Sequence, residues 1–231
     1  NLLRSADTFI ISISPMGTAA VALYSIPLKL TELQQIPLRS FVATAFPKMS
    51  NASLKGNKDS VRKIFYTYTG ALSLLFIAAG IFSFVFAEQI VWLLAGKQYL
   101  AAGASSGKTV IMIMRIFAVY GLLLPLDRMT GIALDSINKP QINALKVFYM
   151  VAANVIGDII AVYVFHSLLL VAVGSVVFTL IGIGTGMYFL NRELELTFSS
   201  ILKEGKRFYQ EMFVKSLSVS LFSKKSKPYQ P

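Results

Sequence analysis

Apolar residues fill six stretches of this chain, and polar residues collect in the connections between them. The stretches cover about residues 2–14, 17–46, 64–86, 109–134, 147–165 and 168–190, and the fourth is most apolar up to residue 126. The last four each approach the roughly 20 apolar residues that a membrane-spanning helix needs, whereas the first two are less regular. The pattern therefore predicts an all-α, polytopic membrane protein with six transmembrane helices within residues 1–192.

The composition favours the same class. Hydrophobic residues make up 55% of the chain and charged residues only 14%, whereas a soluble domain carries about a quarter charged residues. The net charge of +11 lies mainly at helix ends and in the tail, where it is expected to contact anionic lipid rather than nucleic acid. The chain has no cysteine, which excludes disulfides and thiolate metal ligands. We predict no metal and no cofactor.

Lysine and arginine concentrate in every second connection. Connection 47–63 has five basic residues, and others lie in 138–146 and after residue 191. The turns 14–17 and 166–167 have none, and the longer connection 87–108 has only two. Because basic residues are retained on the cytoplasmic side, both ends of the chain are predicted to be cytoplasmic, in the cytoplasmic (inner) membrane.

The second apolar stretch is too long for one straight crossing and contains charges. Lys29, Glu32 and Arg39 are spaced by three and seven residues, which places them on one helical face. Either they line a cavity, or Lys29 and Glu32 form an ion pair while Arg39 reaches the headgroups. The segment 17–50, which extends just past this stretch, is expected to bend and to face the bundle interior, because it contains three prolines. These are Pro27, Pro37 and Pro47.

Isolated charges also occur in other apolar stretches. Asp7 lies in the first and Arg115 in the fourth, with Asp127 and Arg128 just past its most apolar part. Such residues are costly in lipid and mark pathways or internal pairs.

Asp158 lies in the middle of the fifth apolar stretch, one helical turn after Asn154. The two are predicted to share a face turned away from lipid. Asp158 then either pairs with a basic residue, which we prefer, or carries the proton or sodium ion of a coupled transport cycle.

The sixth stretch and the tail have patterns of their own. Gly182 and Gly186 form a pair of small residues that predicts close helix packing. Residues 193–231 alternate apolar and basic positions at near-helical spacing. We interpret them as a basic amphipathic cytoplasmic tail that lies flat on the inner leaflet and frays towards its end.

Signatures of enzymes are absent from the sequence. The glycine-rich segment 103–109 lacks the glycine spacing and the preceding strand of a phosphate-binding loop. We therefore predict a protein that is not an enzyme and has no catalytic residues.

Several short motifs resemble one family of transporters. They are Asp7, the stretch ALYSIPLKL with Tyr24, Pro27, Lys29 and Leu30, the helix end FPKMS at 46–50, the hairpin LLAGKQY at 93–99 and the segment GIALDSINKP at 131–140. Together they resemble the polysaccharide transporter family of Wzx-type flippases, in the superfamily that includes MurJ-like lipid II flippases and MATE exporters. The resemblance covers about residues 1–192.

The resemblance implies a transporter of two six-helix lobes around a central cavity, of which this chain is similar to the second. Its partners would be a lipid-linked oligosaccharide, membrane lipid, and a missing N-terminal lobe or second subunit. The implied function is the flipping of polysaccharide repeat units, such as O-antigen, for the cell envelope. The cavity candidates are Lys29, Arg39, Arg115, Glu32 and Asp7, and the candidate coupling or inter-helix polar site is Asp158 with Asn154.

Two other functions remain open at this stage. A MATE-like exporter, which trades organic cations for protons or sodium, would favour the in-span carboxylates. A membrane-embedded glycosyltransferase or polymerase would need a charged catalytic loop on the outer face, where the connections are short and nearly free of charge.

Overall fold

The computed structural model describes residues 2–96 and 104–225, with side chains for 6–96 and 106–214. Within these ranges the chain forms eight helices and no strand, which confirms the all-α prediction. The helices are α1 (Leu2–Ser12), α2 (Gly17–Leu54), α3 (Lys58–Val85), α4 (Ala87–Ala95), α5 (Ala104–Ser136), α6 (Pro140–Ile159), α7 (Leu168–Leu194) and α8 (Phe198–Lys225). Helix α6 continues as a π-helical turn over Ile160–Val164. Part of the LLAGKQY motif and the end of the tail lie outside the described residues.

Four of the described helices are long and apolar enough to cross a membrane: Lys58–Val85, Ser106–Ser136, Pro140–Val164 and Leu168–Leu194. These correspond to the last four predicted spans. Helix α1, with 11 described residues, is about 16 Å long at 1.5 Å per residue, about half the thickness of a bilayer core. The protein is thus a helical, polytopic membrane protein, and spans one and two remain predictions.

Helix α2 is a single α-helix of 38 residues that runs through all three of its prolines. The helix is therefore continuous, and its bend stays a prediction. One side of it faces the bundle interior, as expected. Tyr24, Leu30, Leu38 and Ala45 are buried at or near helical spacing against neighbouring helices.

Helix α5 occupies the centre of the bundle and packs against α2, α3 and α7. Two apolar clusters surround it at opposite ends. One contains Phe65, Met129 and Leu190, and the other contains Phe117 and Val171. A third cluster contains Leu38, Leu72 and Leu124. Buried polar side chains, among them Asp7, Asn154, Asp158 and Lys146, interrupt this apolar interior.

The glycine pair of α7 makes room for α6, as its spacing predicts. A Cβ atom on Gly182 would collide with the side chain of Met150, and one on Gly186 would lie 3.2 Å from Cδ of Lys146. Met150 and Lys146 are themselves four residues apart on α6. The close approach of the two helices therefore brings a lysine stem into the interior of the bundle.

Helix α8 packs across α3 in the first half of its length. Gly205 meets Gly70 at the crossing, with backbone against backbone. The Tyr209 hydroxyl donates a hydrogen bond to the Ala71 carbonyl oxygen at 3.0 Å, and burial raises the pKa of this hydroxyl. The tail is therefore docked on the bundle here, and its position on a lipid leaflet remains a prediction.

Candidate functional site

A polar cluster lies inside the bundle where α1, α2, α6 and α7 meet. It consists of Asp7, Tyr24, Asn154, Asp158 and Ser175. The Asp7 carboxylate accepts hydrogen bonds from Tyr24 Oη at 2.9 Å, Asn154 Nδ2 at 2.7 Å and Ser175 Oγ at 3.4 Å. Asn154 Nδ2 also donates to Asp158 Oδ2 at 2.8 Å. One amide therefore bridges two carboxyl groups from two different helices.

The cluster is closed to solvent. Asp158 is 0% exposed and Asp7 is 4% exposed. Among the side chains that the structure describes, which exclude residues 1–5, no basic group pairs with either acid. The preferred prediction was a basic partner for Asp158, and the described side chains provide none. Asn154 and Asp158 do share an inward face, as their spacing predicts.

A small cavity and one oxygen without a hydrogen-bond partner lie in or beside the cluster. Asp158 Oδ1 has no hydrogen-bond partner among the described residues. A cavity of about 20 Å³ adjoins the cluster and is lined by Asp7, Asn154 and Ser175, with Thr31, Tyr120 and Thr179. This volume is close to that of a single water-sized probe. The cavity beside Asp7 is large enough for one water molecule or one small dehydrated cation, and carboxylate and hydroxyl oxygens could act as its ligands.

The predicted cationic residues lie on two helices and have different surroundings. Lys29 Nζ lies 2.9 Å from Glu32 Oε2, and both side chains are exposed, so the ion pair considered as an alternative is confirmed. Arg39 is exposed on the same helix. Arg115 instead lies over the ring of Phe84, 5.6 Å from its centroid, in the contact between α5 and α3. A shared surface of Lys29, Arg39 and Arg115 stays a prediction.

A second polar site, which the sequence reasoning missed, lies between α2, α5 and α6. Lys146 was assigned to a connection, but α6 begins at Pro140 and Lys146 is 2% exposed. Its Nζ lies 2.6 Å from Asp127 Oδ1 and donates to the Asp127 carbonyl oxygen at 2.9 Å. Proline is well suited to the first turn of a helix. Helix α6 therefore begins at Pro140, before the apolar stretch that starts at residue 147.

The neighbouring side chains complete a cleft around this ion pair. Asn143 Nδ2 donates to both carboxylate oxygens of Asp135 at 3.0 Å. Gln35 and Arg128 line the same cleft, which has a volume of about 270 Å³. We call this space, lined by Gln35, Asp127, Arg128, Asp135, Asn143 and Lys146, the α5–α6 cleft. The four-residue spacing of Asp127, Gly131 and Asp135 was the signal in the sequence that could have located it.

The fold and the buried acids thus define a polytopic helical membrane protein with a polar interior. Residues 1–104 match a family model described as "Polysaccharide biosynthesis protein". This region covers α1 to α4, with Asp7 and Tyr24, whereas Asn154, Asp158 and the α5–α6 cleft lie largely or wholly beyond it. No curated protein and no solved structure matches the chain. The family match supports a role in the synthesis or transport of polysaccharides.

Proposed function

We propose that this chain is one lobe of a cation-coupled flippase. It translocates lipid-linked oligosaccharide or polysaccharide repeat units across the cytoplasmic membrane, and a second lobe or subunit completes the cavity. The match of residues 1–104 to a polysaccharide biosynthesis family supports the cargo class. The four apolar helices support a protein that works in the membrane, as a transporter does.

The polar cluster is the main support for coupling transport to a proton or cation. Asp7 and Asp158 are buried without a basic partner among the described side chains. Such burial is costly unless a proton or cation neutralises the carboxylates. Asp7 belongs to α1, whereas Asn154 and Asp158 belong to α6. Neutralisation therefore favours the contact of α1 with α6, and loss of the proton or cation weakens it. Gly17, which has φ +73° between α1 and α2, is our proposed hinge for this movement.

A MATE-like exporter of organic cations is the alternative function. The carboxylates of Asp127 and Asp135 in the α5–α6 cleft favour it, because a cationic drug would need such acceptors. Both carboxylates, however, already have partners in Lys146 and Asn143. Only Asp127 has a cationic partner, whereas the Asn143 amide is neutral, so the cleft provides one uncompensated carboxylate rather than two for a cationic cargo.

The substitution Asp158→Asn tests the proposed coupling. It keeps the shape of the side chain and removes its negative charge. In a complete two-lobe transporter we expect normal insertion and a roughly 5- to 150-fold loss of cation-dependent glycan export, the usual range of a coupling between sites. Export is measured in cells as surface polysaccharide, and its dependence on pH and sodium is measured in vesicles.

The matched control is Asp59→Asn, an exposed acid that pairs with Arg62 in the first turn of α3. This variant should export within about twofold of the wild type, since surface ion pairs contribute little. Unchanged pH and sodium dependence in Asp158→Asn would contradict the coupling site. Export of an organic cation with no glycan export would support the alternative function.

A further inference from the structure

The α5–α6 cleft differs from the polar cluster in being accessible. Arg128 is exposed, and Asp135 and Asn143 are half-buried. The cleft volume of about 270 Å³ is near the lower end of the roughly 300–1,000 Å³ usual for small-molecule pockets. It therefore fits one sugar unit rather than a whole lipid-linked oligosaccharide.

The charges in the cleft leave one cation available. Lys146 is neutralised by Asp127, whereas Asp135 is hydrogen-bonded by the neutral Asn143 amide and keeps its negative charge. Arg128 forms no ion pair among the described residues. A guanidinium group binds carboxylates and phosphates through two parallel hydrogen bonds. The available donor in the cleft is therefore suited to an oxyanion.

The remaining polar groups suit hydroxyl groups. The Asp135 carboxylate accepts two hydrogen bonds from one Asn143 nitrogen, which fixes both side chains side by side. An ionised carboxylate can accept further hydrogen bonds from a ligand. Gly131 borders this pair, and a Cβ there would lie 3.0 Å from Asn143 Oδ1. The missing side chain keeps the cleft open beside the acceptors.

We propose that the α5–α6 cleft binds an anionic sugar unit of the cargo, with its oxyanion on Arg128 and its hydroxyl groups on Asp135 and Asn143. The proposal rests on the proposed transport of glycans and specifies where the glycan binds. The oxyanion is the carboxylate of an acidic sugar or a sugar phosphate.

The cleft and the polar cluster share one face of α6. Lys146, Met150, Asn154 and Asp158 follow one another at intervals of four residues, and all four are buried. Tyr120 of α5 lines both the cleft and the cavity beside the cluster. A ligand in the cleft and a cation in the cluster therefore act on the same helix.

The absence of cysteine allows a direct test on the full chain. Val151→Cys places one thiol on the wall of the cleft, and a methanethiosulfonate reagent reports its accessibility. We expect methyl glucuronide or glucose 1-phosphate to slow the labelling, and neutral methyl glucoside to have a much weaker effect. The ratio between the two anions identifies which oxyanion the cleft prefers.

Arg128→Gln in the same background should raise the sugar concentration needed for protection by about 10- to 150-fold, the range for a hydrogen bond to a charged group. For Arg128→Lys, the sugar concentration needed should lie between that of the wild-type residue and that of Arg128→Gln. Lysine keeps the positive charge but cannot form two parallel hydrogen bonds. Arg207→Gln is the control, since this exposed arginine pairs with Glu211 on α8. Thermal unfolding of each variant checks that the fold is retained.

Equal protection by anionic and neutral sugars, or full protection in Arg128→Gln, would overturn the proposal. Lack of protection in the wild-type background would do the same. If protection depends on Arg128 but the two-lobe transporter exports no glycan, the site stands and the proposed function fails. If export requires Asp158 but no sugar protects position 151, only the cleft assignment fails.

Discussion

Replacing Lys146 with methionine is expected to destabilise the bundle by about 3 kcal/mol. This is the lower end of the usual cost of removing one partner from a buried ion pair, because the Asp127 side chain is 19% exposed. Methionine has a similar length and still fills the space beside Gly186 and Thr130. The change therefore isolates the charge, and it leaves the Asp127 carboxylate without its cation. The free energy of unfolding in a detergent or bilayer assay measures the effect.

The double variant Lys146→Met with Asp127→Leu provides the control for this prediction. It removes both charges, so we expect it to recover most of the lost stability, because an apolar pair in place of a buried ion pair is often neutral or better. A double-mutant cycle then gives the interaction energy. If Lys146→Met alone is as stable as the wild type, the ion pair is not buried in the protein as it exists in the membrane.

Leucine in place of Gly70 is expected to displace α8 from α3. A side chain at this position would meet the backbone of Ile201 and Gly205, which cannot rotate away as a flexible side chain can. Overpacking of this kind costs about 1–3 kcal/mol, which corresponds to roughly 5- to 150-fold more of the undocked state. Trypsin cleavage at exposed basic residues of α8, such as Lys206, should accelerate by the same factor.

Gly184→Leu is the matched control for the glycine prediction. Gly184 lies in a membrane-spanning helix as well, but no atom lies within 4 Å of a Cβ built there. This variant should leave the cleavage rate unchanged. An unchanged rate in Gly70→Leu would show that α8 does not depend on the crossing with α3.

The hydropathy pattern predicted the helices well where lipid is the solvent. In a bilayer, backbone groups are satisfied only within the segment itself, so an apolar run of sufficient length forms a helix. The last four predicted spans are therefore present as α3, α5, α6 and α7. Their starts were less accurate, because polar residues such as Lys63 and Lys146 belong to the helices but precede the apolar runs.

Charged residues show the limit of sequence reasoning most clearly. Lys29 and Glu32 are three residues apart on one helix, so their pairing was within reach of the sequence. Lys146 and Asp127 lie on different helices, and no local spacing relates them. The basic residue was therefore assigned to a connection, where lysine is usually found in membrane proteins.

The sequence by itself determined the helical class, the membrane environment and the common face of Asn154 and Asp158, since each follows from hydropathy or from the period of one helix. Only the tertiary structure decided that Asp7 meets Asn154, 147 residues further along the chain. It also decided that Asp158 in the fifth span is linked through Asn154 to another acid, Asp7. Among the described side chains, Asp158 has no basic partner. The reason is physical: the partner of a buried charge is set by which helices pack together, and that packing depends on contacts such as Gly186 with Lys146 that arise between distant segments.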